Sequence, residues 1–138
     1  MSGSVPITVG DFAGRRCASS GSPWEPVVGY SRAVRAGNLI AVSGTVGINA
    51  DRTYPATLAE QTRRALEIVR DAIEALGGRL DQVIRTRLFV TDIAKAAEAT
   101  AVHGEFFASI RPACTLVEVS RLIDDRAQIE IEADVVVA

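Results

Sequence analysis

The stretch Gln128-Ile129-Glu130-Ile131-Glu132-Ala133-Asp134-Val135 decides how this chain folds. Side chains of a strand alternate between its two faces, so Ile129, Ile131, Ala133 and Val135 point one way and Glu130, Glu132 and Asp134 the other. The apolar set belongs in a core. Three carboxylates in a row on the opposite face require either water or another subunit against them. Upstream, Ile110-Arg111-Pro112-Ala113-Cys114-Thr115-Leu116-Val117-Glu118-Val119 reads as a second strand.

Working outward, 138 residues of which 48% are apolar and 23% charged describe one ordinary globular domain over 1–138, large enough to bury a core without disulfides or metals. A formal net charge of −2, with Lys95 as the only lysine and the arginines scattered among acids, argues against a nucleic-acid partner, which calls for clustered cations. Cys17 and Cys114 lie far apart and form neither a disulfide framework nor a metal-ligand pattern. The first ten residues lack the basic and apolar segments of a signal peptide, and no stretch is long enough to span a membrane. The expectation is a cytoplasmic protein with no membrane partner.

Residues 1–28 form a loop-rich segment dominated by Gly, Ser and Pro, with at most a short edge strand at Arg15 to Ala18. Trp24 is read as a ring covering a core edge rather than as a ligand platform. Tyr30 to Arg35 and Leu39 to Ser43, joined by Ala36-Gly37-Asn38, predict a hairpin. Gly44 at its end either closes the strand or admits a close neighbour.

From Thr57 to Leu76 the period changes. Leu58, Thr62, Ala65, Leu66, Val69, Ile73 and Leu76 form the apolar stripe of a helix, with Thr57 and Glu60 placed for a capping box and Gly77-Gly78 as the stop. Val83 to Val90 predicts a strand with Ile84, Thr86, Leu88 and Val90 on one side and Arg85, Arg87 and Phe89 on the other. Asp92 then caps a second helix, Ala94 to Ser109, striped by Ala96, Ala99, Val102, Phe106 and Phe107. His103 on that helix has no partner nearby in sequence and is read as a surface or lightly packed histidine.

The resulting order, β-β-α-β-α-β-β with room for one more short strand at the start, predicts an α+β fold: a single two-layer domain whose two helices cover one face of a mixed β-sheet. The other face would carry Arg85, Arg87 and Phe89 beside the acids of the last strand. Such a face can stay solvated, and it also suits a wet subunit interface.

The order and spacing of Gly29-Tyr30, Gly37-Asn38, Ser43-Gly44, Gln61-Thr62-Arg63, Phe89-Val90-Thr91-Asp92, Phe106-Phe107, Pro112-Ala113, Val117-Glu118-Val119 and Ile129-Glu130-Ile131-Glu132-Ala133 resemble the reactive-intermediate deaminase family, RidA or YjgF, also called the L-PSP endoribonuclease family. The resemblance runs from about Gly29 to Ala133. It implies a chorismate-mutase-like fold and a homotrimer with clefts between subunits. In the active deaminases it implies hydrolysis of 2-imino or enamino acids to 2-oxo acids and ammonia, with no metal or cofactor. Carried over by position, Tyr30, Ser43 and Gly44 line the cleft and bind substrate, and Glu130 is the catalytic, water-directing acid.

Two positions depart from the pattern. Where the resemblance implies a carboxylate-clamping arginine directly after the Pro-Ala pair, this chain has Cys114, and Thr100 stands where an asparagine is common. A thiol cannot make the bidentate, charged contact of a guanidinium. Two readings stay open: Arg111 turns into the cleft as a replacement clamp, its alternative being a helix-terminus arginine, or the cleft takes a different ligand with Cys114 as a small polar lining or, as a lesser option, a nucleophile. A substrate other than the 2-imino acids is therefore expected. A non-catalytic, small-molecule-binding trimer is the alternative function, and a ribonuclease the third.

Overall fold

Period-two burial along Ile129–Val136, the last strand, is complete: Ile129, Ile131, Ala133 and Val135 are each at most 1% exposed, and the acids between them are half-buried. In the computed structural model, which describes residues 3–138, this strand (β7) lies inside a mixed sheet and organises it. The other strands are β1 (Thr8–Phe12), β2 (Arg15–Ser19), β3 (Ala33–Ala36), β4 (Leu39–Val46), β5 (Val83–Val90) and β6 (Ala113–Glu118). Their spatial order is β1-β2-β3-β4-β7-β5-β6, antiparallel throughout except for the parallel β5–β6 pair.

Helix α1 (Leu58–Ala75) has its stripe where the period places it, with Leu58, Thr62, Ala65, Leu66, Val69 and Ile73 buried. The Thr57 side chain accepts from the Glu60 N–H, and Gly77, at φ +84°, closes the helix in a left-handed turn. There the Gly77 and Gly78 N–H groups bond the carbonyls of Glu74 and Ile73, a Schellman closure that needs a residue free of Cβ strain. Helix α2 (Ala96–Phe107) packs beside α1 and buries Ala99, Val102 and Phe107. Both helices lie against the apolar face formed by Ile40, Val42, Leu88, Val90 and the inward residues of β7. Among the described residues no helix is long and apolar enough to cross a membrane.

The fold class and the two-layer arrangement match expectation, and several details differ. Two strands, not one, precede the hairpin. β1 was hidden because Thr8–Phe12 is exposed on all its residues and carries no alternation, and its presence makes β2 an interior strand rather than an edge. Tyr30 lies outside the hairpin, whose first arm starts at Ala33; Ala36 pairs directly with Leu39 across Gly37-Asn38. The second helix begins later, at Ala96, because Asp92 caps a single 3-10 turn, Ile93–Lys95, before it. Ile84 does not join the inward set. A bulge against β7 between Val83 and Arg85 turns it outward, 52% exposed.

The opposite face of the sheet carries the charges as expected. Arg87 stands directly across from Glu132, and Arg85 across from Asp134. Arg87 pairs with both Glu132 (3.5 Å) and Asp134 (3.3 Å). These side chains are each more than a third exposed, so screening leaves them little effect on the stability of one chain.

Candidate functional site

Glu130 is the second residue of β7 and projects away from the helices, toward β4. The β4–β7 pairing slips between Val42 and Thr45, which places Gly44 beneath the Glu130 side chain. A Cβ built on Gly44 would lie 2.8 Å from Glu130 Cδ and 3.0 Å from its Oε1. Of the two readings of Gly44, the close neighbour is the one realised. The absent side chain is what lets the carboxyl lie flat on the strand.

Under this contact lies Arg32, a charged residue only 7% exposed. Its Nη1 donates to the Gly44 carbonyl at 2.6 Å and to Thr45 Oγ1 at 3.2 Å, and its Nη2 donates to the Tyr30 hydroxyl at 3.1 Å. The guanidinium carbon also sits 5.4 Å from the centre of the Tyr30 ring. Arg32 Nε is buried without a hydrogen-bond partner among the described residues. Burial pushes the Glu130 carboxyl above the usual glutamate range; the positive charge of Arg32 opposes that shift and the neighbouring Glu132 adds to it.

Glu130, Gly44, Arg32 and Tyr30 line one side of a cavity of about 450 Å³. Trp24, Tyr54, Arg52, Ile123, Asp124 and Arg126 also line it. Arg126 lies 4.7 Å over the Tyr54 ring and is gripped by Asp124 through two hydrogen bonds, at 2.8 and 3.1 Å. Those bonds hold the Asp124 carboxyl down at about 2. Tyr54, half-buried, is pushed up by burial and by Asp124. Gln61, fully buried in α1, anchors this wall: its amide donates to the Pro55 and Arg126 carbonyls and accepts from the Gln128 N–H.

Of the residues chosen from sequence, the structure brings Tyr30, Gly44 and Glu130 together in one cavity. Ser43 does not line it; its hydroxyl is turned away and donates to the Ser31 carbonyl at 2.7 Å, holding the segment before β3 against β4. Arg111 and Cys114 are also elsewhere in this chain. Arg111 is exposed in the left-handed turn after α2, at φ +58°. Cys114, a free and exposed thiol, opposes Thr86 on the edge strand β6, two strands from β7. Thr86 faces α2 through a 2.9 Å contact with His103, so its cross-strand neighbour Cys114 projects to the helix side of the sheet edge. That contact also gives His103 the partner its sequence surroundings lack.

Trp24 is not the core cover expected: it is 54% exposed and lines the cavity. Sequence reasoning missed Arg32, Tyr54 and Arg126. Tyr54 and Arg126 sit in turn-rich segments without a period, and the groups that bind the Arg32 side chain across the sheet lie twelve and thirteen residues further on.

Residues 21–137 match the family model described as Endoribonuclease L-PSP. The chain belongs to this family, the RidA/YjgF family. It is 36% identical over 108 residues to the 2-iminobutanoate/2-iminopropanoate deaminase of Escherichia coli K12, an alignment covering 75% of this chain and 84% of that protein. A solved Mycobacterium tuberculosis member of the YjgF/YER057c/UK114 family superposes with a TM-score of 0.80 at 45% identity, covering 86% of this chain and 96% of that one. Escherichia coli TdcF, solved with bound serine, superposes at 0.75 with 29% identity over 79% of this chain and 88% of that one. The RidA fold thus holds for this chain, two helices packed on one face of a mixed sheet.

Proposed function

We propose that this RidA-family protein hydrolyses a small imine or enamine in a cleft between subunits of a homotrimer, with Glu130 directing the water and with no metal or cofactor. The observation that carries this reading is the half-buried Glu130 carboxyl lying on Gly44 beside Tyr30, at the wall of a cavity large enough for a small metabolite. The similarity to the Escherichia coli 2-iminobutanoate/2-iminopropanoate deaminase supports the same reaction class.

In this reaction Glu130 accepts a proton from water as the oxygen adds to the C=N carbon. Glu130 passes that proton to the nitrogen, giving a carbinolamine; it then takes the proton of the new hydroxyl and delivers it to the amino nitrogen, and the C–N bond breaks so that ammonia leaves as the C=O forms. A carboxyl pKa raised by burial makes Glu130 a better base than an exposed glutamate.

The separation of the sites supports the trimer. Tyr30 and Glu130 belong to the interior of the sheet, before β3 and on β7, and Cys114, Arg111 and Thr100 to the β6 and α2 edge. A second copy that places its β6 edge over the cavity would complete the cleft, with Cys114 as a small polar lining. Ser43 then supports the wall from behind. The arginine clamp of the active deaminases has no counterpart at position 114, so the substrate is held differently from a 2-imino acid there.

The test is to generate small imines in situ, with and without a carboxylate, and to follow ammonia release by the wild type and by Glu130→Gln. Turnover by the wild type that Glu130→Gln loses is the expected result; no turnover above Glu130→Gln overturns the enzymatic reading. The missing clamp favours a second reading, a non-catalytic trimer that binds a small molecule. Ligands would then raise the melting temperature without being consumed.

A further inference from the structure

The chain holds a buried cation that makes no hydrogen bond or close ion pair to a carboxylate among the described residues, and it sits at the wall of the cavity that contains Glu130. Arg32 is more than nine-tenths buried, its Nε has no partner, and its other donors go to neutral oxygens. A desolvated guanidinium whose hydrogen bonds all go to neutral acceptors, with the Glu130 charge reaching it only through space, is an arrangement that a further anion stabilises.

The direction of the Tyr30 hydrogen bond adds a second, independent constraint. The phenol oxygen accepts from Arg32 Nη2, so its own proton is left to donate, and the Tyr30 hydroxyl donates to no protein group among the described residues. A donor bonded to a charged group is polarised and binds an anionic oxygen more strongly than a free phenol does.

We infer that Arg32, acting through Tyr30, is the anion anchor of this site: the substrate carries an anionic oxygen that the Tyr30 hydroxyl holds, in place of the arginine that is absent at position 114. Arg32 is a positioning residue and Tyr30 the contacting one. The inference rests on the proposed imine hydrolysis for the identity of the site, but predicts a specificity that reading leaves open. The anion lies on the Tyr30 side of the cavity, away from Glu130, whose own charge repels it. Glu132 on the same strand adds repulsion, and Arg126 in the cavity lining is neutralised by Asp124.

The test measures binding of pyruvate and of its neutral amide, pyruvamide, by calorimetry to the full-length wild type and to Arg32→Gln, Tyr30→Phe, the double variant and Glu130→Gln. The wild type is expected to prefer pyruvate. Arg32→Gln and Tyr30→Phe should each weaken pyruvate about tenfold or more, with little effect on pyruvamide. The double variant should lose no more than either single one, because the two residues act as a unit. Glu130→Gln should keep or tighten pyruvate binding. Tyr30→Phe leaves the buried charge in place and carries the test if Arg32→Gln does not fold.

Equal binding of pyruvate and pyruvamide to the wild type, or unchanged pyruvate binding by Tyr30→Phe, overturns the inference. If imines are not hydrolysed but pyruvate binding follows the expected pattern, the hydrolytic reading falls and the anchor stands. If imines are hydrolysed while pyruvate binding ignores both residues, the anchor alone falls.

Discussion

The Glu130 carboxyl occupies the space where a side chain on Gly44 would be: its Cδ lies 2.8 Å from the position of the missing Cβ. A methyl group there must displace the carboxyl, since the strand backbone on the other side is held by Arg32 through the Gly44 carbonyl. Gly44→Ala should therefore lower kcat on an imine substrate by about 100-fold, the usual cost of moving a catalytic group by about an ångström. Its melting temperature should change little, because Gly44 has no positive φ to lose. Activity and thermal melts of the one variant check both halves; a normal kcat would show that Glu130 need not lie where it does.

The raised Glu130 pKa has consequences of definite sign. As the base, Glu130 must be ionised, so kcat/KM should rise with pH through an apparent pKa above the ordinary glutamate value of 4.5. For stability, a carboxyl with a folded pKa above its unfolded one binds more protons in the folded state within that window. Stability contributed by Glu130 is therefore greatest below 4.5 and declines as pH rises through the folded pKa. Denaturant melts should show Glu130→Gln gaining on the wild type across the same window, and a constant difference at all pH values would contradict the shift.

Gln61 ties three segments together, with both amide hydrogens and its oxygen used inside the fold. Gln61→Leu keeps the volume but leaves the Pro55 and Arg126 carbonyls and the Gln128 N–H without those bonds. A loss of about 2–3 kcal/mol in chemical denaturation is expected from burying them unpaired. Because Arg126 and Gln128 lead into β7, the same variant should also weaken ligand binding in the cavity.

His103 shows a different linkage. Burial pushes its pKa below the ordinary 6.5, and its Nε2 contacts Thr86 Oγ1 at 2.9 Å. A depressed histidine binds fewer protons in the folded state, so stability is full above 6.5 and is lost as pH falls through that value toward the folded pKa. His103→Gln should flatten this part of the stability profile, as read by urea melts at pH 5 to 8. Thr86→Val should cost about 1 kcal/mol from the lost bond.

Local pattern made the architecture legible. The period-two run of β7 and the stripe of α1 are statements about which faces are apolar, and burial follows them almost residue by residue. What pattern could not show were the elements without an apolar face, β1 above all, and the bulge that turns Ile84 outward. The site was legible only where position in the chain carried it. Tyr30, Gly44 and Glu130 converge, whereas the Ser43 hydroxyl is taken up by the Ser31 carbonyl and does not reach the cavity. Arg32 was invisible because a guanidinium reads as solvent-facing until the tertiary fold places Gly44 and Thr45 over it. Nothing in the local sequence distinguishes this arginine from the exposed ones.

The charged sheet face offers the last prediction. Arg87 stands among Glu132 and Asp134 with all three side chains more than a third exposed, so one chain gains little from the cluster. In the proposed trimer this face is where neighbouring copies meet, and partial burial there would make the cluster matter far more. Arg87→Glu would then gather three carboxylates in one patch of each interface. Sedimentation equilibrium should find the wild type trimeric and Arg87→Glu dissociated, with its circular-dichroism spectrum preserved and with imine turnover lost, because the cleft needs a second copy. A trimer unaffected by Arg87→Glu would place the interface elsewhere on the molecule.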